Sequence, residues 1–268
     1  MLKNLNKTRW LVSCAALCAI AVVSIQFIRF PIIPAANYLE YDIADVPIFI
    51  GTLLYGTHSG LLITFVVCVL QGLLFSQSSG IIGIIMHFIA TGAFVIVCGS
   101  FTKTKNTHAT RSIALVLGSI TMILIMIPLN LIFSSFFALG VPLSEAFSAT
   151  MRAFVSLPSN ANAVIVAIAG IIAFTAAFIT IAFMSKSENK PLKYIAASIA
   201  AVVYAFLVML PLNIVFGGAA FPEAMQGIVP IIWAAVLPFN AIKAGINSVL
   251  TFILFAALKR TRLISEYA

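Results

Sequence analysis

The sequence predicts an all-α integral membrane protein that crosses the bilayer several times. Of its 268 residues, 62% are hydrophobic and only 8% are charged, and the mean hydropathy is +1.16. A soluble domain carries about 25% charged residues, because water must solvate its surface. The apolar residues also form long unbroken runs, whereas a membrane β-barrel has alternating segments of about ten residues. Helices are therefore predicted.

Eight apolar runs are candidate membrane helices within one membrane domain spanning 1–268. They lie near 10–29, 46–56, 59–77, 81–101, 112–139, 160–184, 194–217 and 229–258. The second run is shorter than the roughly 20 residues that a helical crossing requires, so we expect it to be broken or tilted. The first run is longer than the core of a signal peptide, about 7–15 residues, and is interpreted as the first membrane helix.

Basic residues predict the orientation of these helices. They occur in four groups of three, before the first span, after the fourth, after the sixth and after the eighth: Lys3, Lys7 and Arg9; Lys103, Lys105 and Arg111; Lys186, Lys190 and Lys193; Lys259, Arg260 and Arg262. The positive-inside rule makes these segments cytoplasmic, so both termini are predicted inside. Most acids, including Asp42 and Asp45, fall on the outer side. The net charge of +8 thus reflects membrane topology, and no nucleic-acid partner is predicted.

Two segments in the second half of the chain resemble each other. Residues 126–130 (Met-Ile-Pro-Leu-Asn) match 209–213 (Met-Leu-Pro-Leu-Asn), and 157–160 (Leu-Pro-Ser-Asn) match 237–240 (Leu-Pro-Phe-Asn) in the same order. Duplication of a two-helix unit explains both matches, and such repeats are common in transporters. Chance recurrence in a biased composition is the alternative. The second copy has Lys243 where the first has alanine.

Polar residues inside the predicted spans are the candidates for chemistry. Asn240, Lys243 and Asn247 recur at i, i+3 and i+7 and so share one face of the last helix. A lysine within a membrane helix costs about 2.5–3.5 kcal/mol and usually faces a cavity or a partner. Hydrogen bonding between helices is the alternative, but the lysine favours a ligand site. Asn130 and Asn213, each two residues after a proline, are further candidates, although a packed kink is equally consistent with Asn130.

Several classes of site are not predicted. The four cysteines lie in apolar runs without metal-site spacing and are interpreted as small hydrophobic residues, so no metal site is expected. The glycines after residue 50 lack the Lys-Ser/Thr of a phosphate-binding loop, and no pair of acids for proton relay lies within the spans. An enzyme is not predicted. The outer loop 30–46, with prolines, tyrosines and acids, could close over an external pocket; an ordinary surface connection is the alternative.

Three segments resemble the riboflavin-specific S components of energy-coupling factor (ECF) transporters. Residues 38–47 (Tyr-Leu-Glu-Tyr-Asp-Ile-Ala-Asp-Val-Pro) resemble the family's first loop and the start of its second helix. Residues 83–92 (Gly-Ile-Ile-Met-His-Phe-Ile-Ala-Thr-Gly) are similar to its fourth helix, where asparagine is more usual than His87. Residues 237–243 (Leu-Pro-Phe-Asn-Ala-Ile-Lys) resemble its last-helix motif.

The resemblance implies a helical bundle that binds riboflavin from outside under a loop, with riboflavin as the transported ligand and no cofactor. Another flavin or vitamin is the alternative. Asn240 and Lys243 would contact the isoalloxazine ring. The other ligand-site residues that it implies, or that share the polar face, are Asn213, Asn247, Leu39, Tyr41, Asp42 and His87.

The resemblance also implies a bacterial cell-membrane complex. An ECF transmembrane coupling subunit would dock partly on Ala15 and Ala19, and two ABC-type ATPase subunits would supply the energy. A self-sufficient secondary carrier is the alternative function. Family members usually have six helices, so the duplicated pair accounts for the excess. Retention of Lys243 favours 112–190 as the extra pair, with 1–111 and 191–268 forming the six-helix core; the reverse assignment stays open.

Overall fold

The computed structural model describes residues 7–36, 39–75, 80–102, 107–155 and 222–260. The helices, numbered in chain order among these residues, are α1 (Lys7–Phe27), α2 (Asp45–Tyr55), α3 (Thr57–Leu74), α4 (Gly80–Thr102), α5 (His108–Leu139), α6 (Leu143–Val155), α7 (Glu223–Gln226), α8 (Ile228–Ile231) and α9 (Leu237–Arg260). A π-helical turn, Ile232–Val236, lies between α8 and α9. Two short strands, β1 (Arg29–Pro31) and β2 (Glu40–Asp42), follow α1.

Five of the described helical stretches are long and apolar enough to cross a membrane. They are Lys7–Phe27, Thr57–Leu74, Gly80–Thr102, His108–Leu139 and Glu223–Arg260. The predicted all-α, multi-pass membrane fold is therefore confirmed. The spans predicted at 160–184 and 194–217, and with them Asn213, lie outside the described residues. The count of eight helices stays a prediction.

The short second apolar run is a separate helix. α2 has 11 residues and all of them are buried, because α2 packs against α1, α3 and α4. Gly56 ends it with a φ of 85°, a conformation that glycine adopts without the steric cost of a side chain. α3 then begins at Thr57 in a new direction. The second run is thus one short, continuous helix that ends at Gly56, and its expected break or tilt in the membrane stays a prediction.

In the unit formed by 1–123 and 239–268, α4 makes close contacts with both α2 and α3. Phe49 of α2 stacks on Phe94 of α4 with ring centroids 3.5 Å apart. A Cβ added to Gly99 would lie 2.8 Å from the backbone nitrogen of Thr57. The absence of a side chain at Gly99 therefore allows the α4 backbone to approach the first turn of α3.

The predicted outer loop contains a β-hairpin, which the sequence analysis did not predict. β1 pairs with β2 in antiparallel register, with Arg29 opposite Asp42. The Arg29 guanidinium donates to Glu40 Oε2 at 2.6 Å and to the carbonyl oxygen of Phe75, after the end of α3, at 2.6 Å. The hairpin forms because α1 and α2 are adjacent, so the chain must return and its backbone groups find partners in each other.

The unit formed by 124–238 contains a helix, α6, that was not predicted from the sequence. α6 buries Ala146 and Ala149 in a small apolar cluster with Val141 and Met225. Its short amphipathic sequence, with Glu145 in the first turn and Arg152 in the last, lacks the long apolar run on which the prediction of helices depended. Both charges suit the helix dipole.

Candidate functional site

An ion pair between distant parts of the chain lies at the centre of the candidate site. The Lys243 ammonium of α9 contacts Asp42 Oδ2 of β2 at 2.8 Å, and Asp45 Oδ2 lies 3.9 Å from the same nitrogen. The relative exposures of Asp42, Asp45 and Lys243 are 4%, 0% and 7%. A buried charge requires such compensation. The partner that the sequence analysis required for Lys243 thus includes two carboxylates of this chain.

Asp45 connects three helices. It lies in the first turn of α2, where a negative charge suits the helix dipole. Its Oδ1 accepts hydrogen bonds from Thr91 Oγ1 at 3.1 Å and from His87 Nε2 at 3.2 Å, both on α4. Its Oδ2 accepts from Asn247 Nδ2 of α9 at 3.3 Å. These donors, together with Lys243, stabilise a carboxylate that has no exposure to solvent.

Asn247 joins the hairpin to α9 a second time. Its Oδ1 accepts from the Tyr41 hydroxyl at 2.8 Å, and its Nδ2 lies 3.4 Å from the Asp42 carbonyl oxygen. Burial, and next the negative charge of Asp42, raise the pKa of Tyr41. The phenol is therefore protonated at neutral pH and acts as the donor in this pair.

Gln71 of α3 completes the group, with Nε2 donating to Asp42 Oδ2 at 3.2 Å. We call this group the Asp42–Lys243 cluster. It consists of Tyr41, Asp42, Asp45, Gln71, His87, Thr91, Lys243 and Asn247. The cluster joins the hairpin to α2, α3, α4 and α9, so these elements position it together.

The structure brings together five of the predicted site residues: Tyr41, Asp42, His87, Lys243 and Asn247. Asn240 is also buried, at 2% exposure, one turn before Lys243 on the same face of α9. Leu39 is partly exposed in the bend before β2, where its backbone N–H donates to the Ala36 carbonyl at 2.9 Å. Ala15 and Ala19 are exposed on α1.

The structure buries two acids of the segment that joins the first two helices. Both acids were assigned to the outer side of the membrane, and Asp42 was among the predicted ligand-site residues; the structure buries Asp42 and Asp45 beside Lys243. The reason is that the hairpin turns inwards and α2 begins at Asp45 rather than after it. Asp45, Gln71 and Thr91 were also missed as site residues. One feature of the sequence could have indicated their role: Asp42 and Asp45 are three residues apart at the start of an apolar run.

The arrangement suits the binding of a polar, uncharged molecule. An ammonium group has three N–H donors, and within the described residues one of them is engaged by the short contact with Asp42. The charge of Lys243 is already compensated by carboxylates. Among the described residues, no group of three or more His, Cys, Asp or Glu side chains could hold a metal ion. The cluster therefore offers hydrogen-bond donors and acceptors, and the positive charge of Lys243 is not available to an anionic ligand.

Comparison with known proteins places this fold in a family. The family model described as "ECF transporter, substrate-specific component" matches residues 9–169. The riboflavin transporter RibU of Lactococcus lactis subsp. cremoris is 32% identical over 132 residues, which cover 48% of this chain and 64% of the relative. RibU of Streptococcus thermophilus is 31% identical over 145 residues, with coverages of 54% and 65%.

The riboflavin transporter FmnP of Bacillus subtilis is 30% identical over 125 residues, which cover 46% of this chain and 65% of FmnP. The chain thus spans just under two thirds of the length of the relatives that it matches. A solved structure, described as "Structure and mechanism of the S component of a bacterial ECF transporter", matches with a TM-score of 0.52 and 19% identity. The match covers 96% of this chain and 99% of the solved one, which supports the same fold. Because the family model matches more than half of the chain, the protein belongs to the substrate-specific components, or S components, of ECF transporters.

Proposed function

We propose that this chain is the membrane-embedded, high-affinity riboflavin-binding subunit of an ATP-driven vitamin uptake transporter. The observation that carries the proposal is the buried polar face of α9, where Asn240, Lys243 and Asn247 adjoin the hairpin, in a chain whose relatives are named riboflavin transporters. The subunit itself would carry no ATPase activity.

The chemistry of riboflavin matches this face. The isoalloxazine ring has an imide edge for pairing with an amide, carbonyl oxygens for an ammonium donor and a flat apolar body. Asn240 supplies a buried amide, and Lys243 has N–H donors beyond the one that contacts Asp42. Since two carboxylates already compensate Lys243, a phosphate ester would gain little from it. We therefore favour the neutral vitamin over its phosphorylated form.

The proposal includes partners and a location. A transmembrane coupling subunit and two ABC-type ATPases would complete the transporter in a bacterial cell membrane, with both termini of this chain in the cytoplasm. Exposure of Ala15 and Ala19 on α1 supports their role in docking, because small residues allow another helix to approach closely.

Ligand titration tests the substrate. The purified protein in detergent should quench flavin fluorescence on addition of riboflavin, and bind the phosphorylated flavin and thiamin more weakly. Mass spectrometry of the small molecules that co-purify should find riboflavin. A correctly folded protein that ignores riboflavin and binds another vitamin would overturn the substrate while leaving the family intact.

A matched pair of substitutions tests the position of the ligand. Asn240→Ala should weaken riboflavin binding about tenfold, the effect of losing one or two hydrogen bonds in a site shielded from water. Asn130→Ala is the control, because Asn130 donates to the Met126 carbonyl of its own helix at 2.9 Å. Equal affinities of the two variants would place the ligand away from α9.

Burial of Asp42 and Asp45 supports a second candidate function, that of a self-sufficient carrier driven by protons. Buried acids in membrane proteins often mark proton pathways. Vesicles that contain this chain without any ATPase subunit distinguish the two functions. A carrier would accumulate riboflavin in response to a proton gradient, whereas an S component would bind the vitamin without accumulating it.

A further inference from the structure

Gln71 has a hydrogen-bonding capacity that the fold leaves unused. Its side chain lies near the end of α3 and is 9% exposed. Its Nε2 donates to Asp42 Oδ2 at 3.2 Å. An ionised carboxylate accepts hydrogen bonds and cannot donate them, so the amide must turn its nitrogen towards Asp42. The hydrogen bond from Nε2 to Asp42 therefore turns the other amide atom, Oε1, away from Asp42.

That oxygen is buried without a partner. Within the part of the chain that the structure describes, Gln71 Oε1 has no hydrogen-bond donor. Buried polar side-chain atoms are nearly always paired, and an unpaired one requires an explanation. The two oxygens of Asp42, by contrast, accept from the Ala44 backbone, Lys243 and Gln71. A donor from outside the chain would satisfy the remaining acceptor.

The position of Gln71 indicates the chemistry of that donor. Gln71 Nε2 and Lys243 Nζ both contact Asp42 Oδ2, at 3.2 Å and 2.8 Å. One carboxylate oxygen thus positions two side chains close together: the Gln71 amide, which carries the unpaired acceptor Oε1, and the Lys243 ammonium, which is a donor. An imide or lactam edge has the complementary pattern, an N–H beside a carbonyl oxygen.

We infer that Gln71 is a specificity-determining residue whose Oε1 accepts a hydrogen bond from the ring imide N–H of the substrate, next to a carbonyl that accepts from Lys243. The inference rests on the proposed function, since it assigns this contact to a flavin. It predicts selection for an unsubstituted imide. A site built to pair with an N–H rejects an analogue that lacks it, because the buried acceptor is then left unpaired.

A cycle of two ligands and two proteins tests the contact. The ligands are riboflavin and riboflavin methylated at the imide nitrogen; the proteins are the wild type and Gln71→Met, a substitution that keeps the length of the side chain. The wild type should prefer riboflavin by about tenfold, the effect of one buried hydrogen bond. Gln71→Met should weaken riboflavin about tenfold and change the affinity for the methylated analogue by less than about twofold. Gln26→Met, at an exposed glutamine of α1, should match the wild type with both ligands.

Three outcomes decide the inference. Loss of discrimination in Gln71→Met supports it. Equal weakening of both ligands overturns it, because Gln71 would then act only by positioning Asp42. Equal binding of both ligands by the wild type also overturns it and requires no variant, so poor folding of Gln71→Met does not prevent the test. If the wild type binds neither flavin, the proposed function itself fails; if it binds riboflavin but the cycle shows no coupling, only the role of Gln71 fails.

Discussion

Lys243 lies in an apolar membrane helix, and its ammonium group is buried. Two carboxylates from a segment about 200 residues earlier make this possible, with Asp42 at 2.8 Å and Asp45 at 3.9 Å. Removing one partner of a buried ion pair leaves the other charge uncompensated, which costs about 3–5 kcal/mol. The same residues thus stabilise the fold and form the candidate ligand site.

Substitution of Lys243 tests this dual role. Lys243→Met should lower the midpoint of thermal unfolding in detergent strongly, because Asp42 and Asp45 stay buried without their cation. The double variant Lys243→Met/Asp42→Asn should recover part of the loss. Lys259→Met, at the end of α9, is the matched control and should unfold near the wild-type temperature. A Lys243→Met protein as stable as the control would show that the ion pair contributes little.

The sequence predicted part of this site. Helical periodicity placed Asn240, Lys243 and Asn247 on one face, and the structure agrees. Periodicity describes one helix at a time, however. It could not show that Asp45 and Gln71 would meet that face, since their contacts depend on the inward turn of the hairpin and on the packing of α2, α3 and α9.

At the scale of helices, the backbones of α3 and α4 approach closely where glycine occurs. A Cβ at Gly99 would lie 2.8 Å and 2.9 Å from the backbone N and Cα of Thr57. A backbone atom cannot move aside as the end of a flexible side chain can. Among the described residues, the Cβ position of Gly92, two turns earlier on α4, has only the Leu61 side chain within 4 Å, at 3.6 Å, which is an ordinary contact.

Alanine at these two glycines should therefore have opposite effects. Gly99→Ala should destabilise the protein by about 1–3 kcal/mol, the cost of overpacking. Gly92→Ala should be neutral or slightly stabilising, because alanine has the higher helix propensity by about 1 kcal/mol. Thermal unfolding in detergent compares them directly. Equal midpoints for the two variants would contradict the close approach at Thr57.

The hairpin is held by contacts at both ends of β2. Arg29 pairs with Glu40 and with the Phe75 carbonyl near its start, and Asp42 pairs with Lys243 at its end. The first contacts are partly exposed, so we expect a contribution below about 1 kcal/mol to global stability. Their effect should be confined to local opening of the hairpin.

Hydrogen exchange measures this local effect. Arg29→Met should accelerate exchange of the backbone amides between residues 29 and 42, because β1 loses its side-chain contacts with Glu40 and with α3. The unfolding midpoint should change little. Arg9→Met, at an exposed position of α1, is the control and should leave exchange in the hairpin unchanged. Exchange equally slow in both variants would show that Arg29 does not hold the hairpin.

At the scale of the whole molecule, the proposed function makes this chain one subunit of a complex. α1 exposes Ala15 and Ala19 one helical turn apart. Two alanines at this spacing leave a shallow surface, against which a partner helix can pack at short distance. The proposed complex therefore depends on a part of the molecule separate from the candidate ligand site.

A bulky residue on α1 tests the docking surface. Ala15→Trp should reduce co-purification of the coupling subunit and riboflavin-dependent growth, because the side chain would hold the partner helix away. Riboflavin binding by the isolated chain should be unchanged. Ile20→Trp, exposed on another face of α1, should assemble normally. Normal assembly of both variants would place the coupling subunit elsewhere.

The sequence by itself determined that this protein lies in a lipid bilayer and where most of its long apolar helices are. Too few charges and apolar runs long enough to cross a bilayer predict membrane helices without knowledge of any contact, because each helix satisfies its own backbone. The tertiary structure alone decided where Asp42 and Asp45 lie. A carboxylate near the start of a helix is as plausible in water as beside a lysine, and the choice depends on contacts between segments about 200 residues apart. Those contacts make two acids, which the sequence assigned only to the outer side of the membrane, the buried partners of Lys243.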